Sequence, residues 1–154
     1  MRRILTTGLL LFVTACAARS QSGSQFGPAL TIERFLQAAS AVSQLSQAQG
    51  AGATQMADEI ETMARLFGTS DGSVLDRYPR DEVEQRMFLF AQILKHTDYQ
   101  LAGERAVPGR SRDLIEVVVR LTNAAGTVDV PFQVVRADDE WLIENINLEA
   151  VTMQ

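Results

Sequence analysis

The chain holds one histidine and one cysteine, and these two side chains define the chemistry that single residues could carry. His96 stands in the stretch LKHTDY, with Asp98 and Tyr99 two and three positions further on. A histidine with a carboxylate and a phenol within reach is a set for proton transfer, provided that burial tunes it near neutral pH. The competing reading is structural. Lys95 and His96 would close a helix, where cations favour the negative end of the dipole. Tyr99 fits either a pocket mouth or simple packing with its hydroxyl in water. A Gly-rich phosphate loop, a serine nucleophile elbow and a His-based metal motif are all missing from the sequence. No metal ligand set and no cofactor is implied, and a lone cysteine excludes both an intrachain disulfide and a cysteine-based zinc cluster.

Cys16 belongs to a different kind of chemistry. It closes MRRILTTGLLLFVTAC, in which Arg2 and Arg3 precede a short apolar run from Ile4 to Ala15. This is the pattern of a signal peptide, residues 1–15, and it is shorter than the ~20 apolar residues of a membrane span. Val13-Thr14-Ala15-Cys16 resembles the lipobox of bacterial lipoproteins. The resemblance implies that Cys16 is lipidated and becomes the mature N-terminus, with palmitate-type chains holding the protein on the membrane. Several acyl chains anchor stably where one is marginal. Cleavage after Ala15-Cys16-Ala17 is the rival reading and leaves a soluble periplasmic protein. Ala17 in place of Asp implies sorting to the outer membrane, facing the periplasm, if the cell is Gram-negative. Residues 16–30 carry the attachment cysteine and a Ser-, Gln- and Gly-rich tether, which as a coil spans roughly 20 Å.

Residues 31–154 are expected to form one domain. Apolar residues make up 46% of the chain, ordinary for a packed core. The net charge is −5, and it becomes more negative once Arg2 and Arg3 leave with the leader. That balance disfavours nucleic acid, whose phosphates need Lys and Arg. Thr31 is expected to cap a first helix with Ile32, Phe35, Leu36, Ala39 and Val42 on one face. Met56, Ile60, Met63 and Phe67 mark a second helix, stopped by Gly68. A short extended piece at Val74-Leu75 precedes a third helix, which starts near Pro79 with Asp81 and Glu84 spaced as a capping box. Its stripe includes Val83, Met87, Phe88, Leu89, Phe90, Ala91, Ile93 and Leu94, so this helix is expected to be the most enclosed.

From Thr97 the period changes to two. Four strands follow, with bulges expected at Gly103 and near Glu144-Asn145. Pro131 demands either an edge strand or a bulge. The order predicts an α+β fold: N-terminal helices packed on a curved antiparallel sheet of about four strands, cone-like. Strand parity turns Ile115, Val117, Val119, Leu121, Val128, Val130, Phe132, Val134, Trp141 and Ile143 inward. Glu116, Arg120, Asp129 and Gln133 take the opposite face, beside Leu114 and Val118.

The element order and the closing EWLIENINL, with Trp141, Ile143 and Ile146 spaced as Trp-x-Ile-x-x-Ile, resemble the nuclear transport factor 2-like (cystatin-like) superfamily. That resemblance implies a pocket between sheet and helices, here lined by Val117, Val119, Val130, Phe132, Trp141 and Ile143. Enzymes of the superfamily place a proton-transfer group in the pocket, and none of these residues can move a proton. The expectation is a membrane-anchored envelope lipoprotein with a non-catalytic binding or assembly domain. Its partner would be an apolar small molecule, a lipid or an envelope protein. The alternative is a small acid–base enzyme, of isomerase, dehydratase or hydrolase type, using His96, Asp98 and Tyr99.

Overall fold

Pro28 opens the first helix, its fixed φ already suited to a first helical position. The computed structural model describes residues 27–48, 52–109 and 113–152. Helix α1 runs Pro28–Gln47 and buries Ile32, Phe35, Leu36, Ala39 and Val42, the face read from the periodicity. Thr31 is not its cap. It sits one turn inside, buried, and its hydroxyl donates to the Trp141 carbonyl at 3.2 Å. The helix therefore begins three residues before Thr31, and residues 28–30, read as the end of the tether, are helical.

Helix α2, Ala53–Arg65, buries Ile60 and Met63. Phe67 lies beyond its end, yet its ring still packs against Phe35 and Phe90, at 6.2 and 5.3 Å between centroids. Gly68 is not a helix stop but the first residue of strand β1, Gly68–Thr69, which pairs with β2, Gly72–Ser73. A Cβ on Gly68 would stand 2.4 Å from the Gly72 oxygen and 2.8 Å from Leu142 Cδ1, so close approach dictates the glycine. The Val74-Leu75 piece is not extended either. It lies in a 3₁₀ turn, Val74–Asp76, because the Ser73 hydroxyl accepts the Leu75 N–H.

Helix α3 runs Arg80–Ile93. The capping box does not form: Pro79 is the N-cap, so Asp81 lies inside the first turn, and the Glu84 carboxylate bonds Arg80 at 2.8 Å. Val83, Met87 and Ala91 are buried as expected, with Leu94 just past the end. The expectation that this helix is the most enclosed fails: Leu89 is 57% exposed and Ile93 37%. The enclosed helix is α1, which lies between its two companions and the sheet, whereas α3 packs against helices on one side only.

Strands β3 (Asp98–Ala106), β4 (Leu114–Asn123), β5 (Gly126–Ala137) and β6 (Glu140–Ile146) form an open antiparallel sheet in that order. The protein is α+β, with its helices packed on one face of this sheet. Register shifts mark both expected bulges, leaving Ala102 unpaired in β3 and Glu144 in β6. The second explains the spacing of the closing motif. With Glu144 bulged, Ile143 lies opposite Val134 and Ile146 opposite Phe132, so both isoleucines stay inside.

Pro131 resolves in a third way. Its strand β5 is interior, but β6 ends at Ile146, opposite Phe132. Past that pair the proline carbonyl still accepts the Asn147 N–H at 2.9 Å. The only bond lost is the return bond that a residue-131 N–H would make, at the last rung of this ladder. A short helix α4, Glu149–Thr152, follows, with Leu148 and Val151 packed on the core.

Val117, Val119, Leu121, Val128, Val130, Phe132, Val134 and Ile143 are buried, and Ile115 and Trp141 half-buried, as parity requires. On the outer face Arg120 pairs with Asp129 and Arg105 with Glu116, each directly across the ladder. Leu114 departs from its expected exposure. Neighbouring Val135 and Leu142 across three strands, it is buried in a small second cluster with Ala137.

Candidate functional site

The end of α3 and the start of β3 do bring His96, Asp98 and Tyr99 together. They share a shallow surface depression of about 330 Å³ with Gln37, Ser40, Ala41 and Gln44 of α1. His96 is half-buried, its Nδ1–H donates to the Leu94 carbonyl at 2.8 Å, and its ring meets Tyr99 edge-on at 5.6 Å. Asp98 is exposed, and its Oδ1 accepts the N–H of Tyr99 at 2.9 Å. Among the described residues no hydrogen bond joins His96 to Asp98 or to the Tyr99 hydroxyl. Histidine and carboxylate each serve the local backbone.

The six residues read as a pocket lining fall into two kinds. Val117, Val119, Val130, Phe132 and Ile143 have no exposure and belong to one continuous core with Ile32, Phe35, Leu36, Met63 and Met87. Phe132 meets Phe35 edge-on at 6.4 Å, so aromatic rings bridge the sheet and the helices. Trp141 differs. Half-buried at the β6 edge, it lines an open cleft of about 490 Å³, within the range of small-molecule sites.

That cleft is assembled from distant segments. Leu30, Thr31 and Arg34 come from α1, and Arg65 and Leu66 from the end of α2. Ser73, Leu75 and Asp76 come from the hairpin and 3₁₀ turn, with Glu140, Trp141 and Leu142 from β6. Two bonds hold its walls: Thr31 to the Trp141 carbonyl, and the Ile143 N–H to the Leu66 carbonyl at 2.8 Å. Sequence reasoning missed every member except Trp141. No short spacing connects four segments that meet only in space. A second groove, of about 450 Å³, lies between α2 and α3 over Ile60, Phe88 and Leu89.

Charge around these surfaces is held in exposed pairs. The Arg65 and Arg80 guanidiniums both bond Glu61 and hold its carboxyl below the usual range. Arg120 does the same to Asp129 through a two-point bond at 2.8 and 3.1 Å. Such pairs organise a surface and contribute little stability. Among the described residues, no group of three or more His, Cys, Asp or Glu could hold a metal ion, and no helix is long and apolar enough to cross a membrane. Cys16 and the leader expected over residues 1–15 lie outside the described residues, as does the tether up to residue 26. No family model, curated protein or solved structure matches the chain.

Proposed function

We propose that this chain is an envelope lipoprotein, anchored through Cys16, whose α+β domain binds or assembles with another molecule and does not catalyse a reaction. The observation that carries the reading is the filled interior. Where a nuclear transport factor 2-like enzyme would keep a pocket with a proton-transfer group, five apolar side chains here have no exposure and pack against helix residues. His96, Asp98 and Tyr99 line a shallow surface depression instead, Asp98 exposed and the other two half-buried. The element order and the placement of Trp141, Ile143 and Ile146 support a likeness to that superfamily. Binding is then a property of the surface clefts.

Two measurements test the two halves. For the anchor, the N-terminal peptide recovered from membranes is expected to carry acyl mass on Cys16, and an unmodified Ala18 terminus would overturn it. For the domain, the methyl resonances of Val117, Val130 and Ile143 are expected to stay in place when the protein is saturated with benzene. Shifts confined to those methyls would reveal an interior site and sink the surface reading.

A further inference from the structure

The two edges of the sheet are protected in different ways. Strand β3 is bordered by β4 alone and carries its own protection. The bulge at Ala102 breaks its line, and Glu104 and Arg105 stand exposed beside it, devices that blunt an open edge. Strand β6 has its bulge at Glu144, near its end. Ahead of it Trp141, Leu142 and Ile143 run without a charge, an aromatic and two branched aliphatic residues of the kind that pair readily with another strand.

What covers β6 comes from the helices and the hairpin. The Thr31 hydroxyl donates to the Trp141 carbonyl at 3.2 Å, and the Ile143 N–H donates to the Leu66 carbonyl at 2.8 Å. Phe67 lies alongside Ile143 as a single parallel bridge, a fragment of a fifth strand. The fragment is held from behind. The backbone at Gly68 approaches Leu142 too closely to admit a Cβ, and the Ser73 hydroxyl donates to the Ala64 carbonyl at 3.0 Å, tying the hairpin to the end of α2. These contacts occupy the outward groups that an incoming strand would use.

We infer that Leu66–Gly68, held in place by the β1–β2 hairpin, is an edge guard that keeps β6 of one copy of this chain from pairing with β6 of another. Displacing the hairpin frees the Ile143 N–H and lets two copies join through that edge.

The test compares variants of the full chain in detergent by sedimentation velocity over a range of concentrations. Gly68→Ala pushes the hairpin off Leu142, and its self-association constant is expected to rise at least about tenfold over wild type. In the associated form the Ile143 amide is expected to stay protected from hydrogen exchange, because another strand has replaced Leu66. Ser73→Ala releases the hairpin from Ala64 without a clash and is expected to act in the same direction, so it carries the test if Gly68→Ala does not fold. Leu121→Ala empties a fully buried site beside β3, at the other edge of the sheet, and controls for general loss of stability. It is expected to stay monomeric. Adding Trp141→Lys to Gly68→Ala puts a charge on the β6 edge and is expected to restore the monomer. A folded Gly68→Ala that stays monomeric, or a monomeric Ser73→Ala where Gly68→Ala does not fold, overturns the inference. So does association of Leu121→Ala to the same degree, association undiminished by Trp141→Lys, or a wild-type dimer that Trp141→Lys dissolves.

Discussion

Replacing Gly68 by alanine places one methyl group where three atoms already stand. The added Cβ would lie 2.4 Å from the Gly72 oxygen, 2.8 Å from Leu142 Cδ1 and 3.0 Å from Ser73 Cα. Two of these are backbone, so rotation of a side chain cannot relieve the clash. The β1–β2 hairpin must move off Leu142. Overpacking of this kind costs about 1–3 kcal/mol. The shift also strains the adjacent Ile143 N–H to Leu66 carbonyl bond, with a net value of roughly 0.5–1.5 kcal/mol. The sum is a destabilisation of about 2–4 kcal/mol, or roughly 8–15 °C in Tm for a domain of this size. Gly103 is the control. It lies at the β3 bulge with nothing within 4 Å of its would-be Cβ, so Gly103→Ala stays within about 0.5 kcal/mol of wild type or gains slightly from a stiffer unfolded chain. Urea unfolding followed by far-UV circular dichroism reads both. Trp141, the sole tryptophan, adds a local probe, because the hairpin builds one wall of its cleft. Equal stability of the two variants would refute the argument from close approach.

Other substitutions probe other contacts. Thr31→Val keeps the shape and removes the hydroxyl that reaches the Trp141 carbonyl, so it is expected to lose about 1 kcal/mol in the same urea assay, with Thr31→Ser retaining most of it. Phe132→Ala empties the centre of the core beside Phe35, with an expected cost of about 3–5 kcal/mol and a lower urea midpoint. In carboxyl NMR, Asp129 is expected to titrate below the ordinary aspartate range and to return towards it in Arg120→Gln. Because the folded-state value is the lower one, the pair's small contribution is complete above the unfolded-state pKa. It is lost as pH falls through the folded one, and added salt shrinks it.

The parts of this fold that periodicity encodes could be read from the sequence. The buried face of α1, the inward parity of β4 and β5, and the β6 bulge follow from where Ile, Val and Phe recur, and the β3 bulge from Gly103 inside its strand, and the structure places them so. What spacing cannot encode is competition between partners. Glu84 follows Asp81 at capping-box spacing, but the helix already starts at Arg80, and Glu84 bonds Arg80 instead. Leu89 and Ile93 have the composition of a core stripe, but the number of layers decides whether a second side of α3 is covered. Thr31 has the chemistry of a cap and spends its hydroxyl on a strand 110 residues away. The Trp141 cleft was illegible for a related reason: its walls meet only after the hairpin has docked on β6. His96, Asp98 and Tyr99 were legible as neighbours, and only the structure shows that His96 and Asp98 bond the local backbone and not each other.

Pro131 sets the length of more than its own strand. Because it offers no N–H on the β6 side, a β6 that ran past Ile146 would find no donor there. The chain must leave the plane of the sheet at that residue, and it does so with Leu148 and Val151 turned back onto the core. The proline therefore acts as a ruler, measuring out how much of the C-terminal segment is strand and releasing the rest to close the open end of the hydrophobic interior.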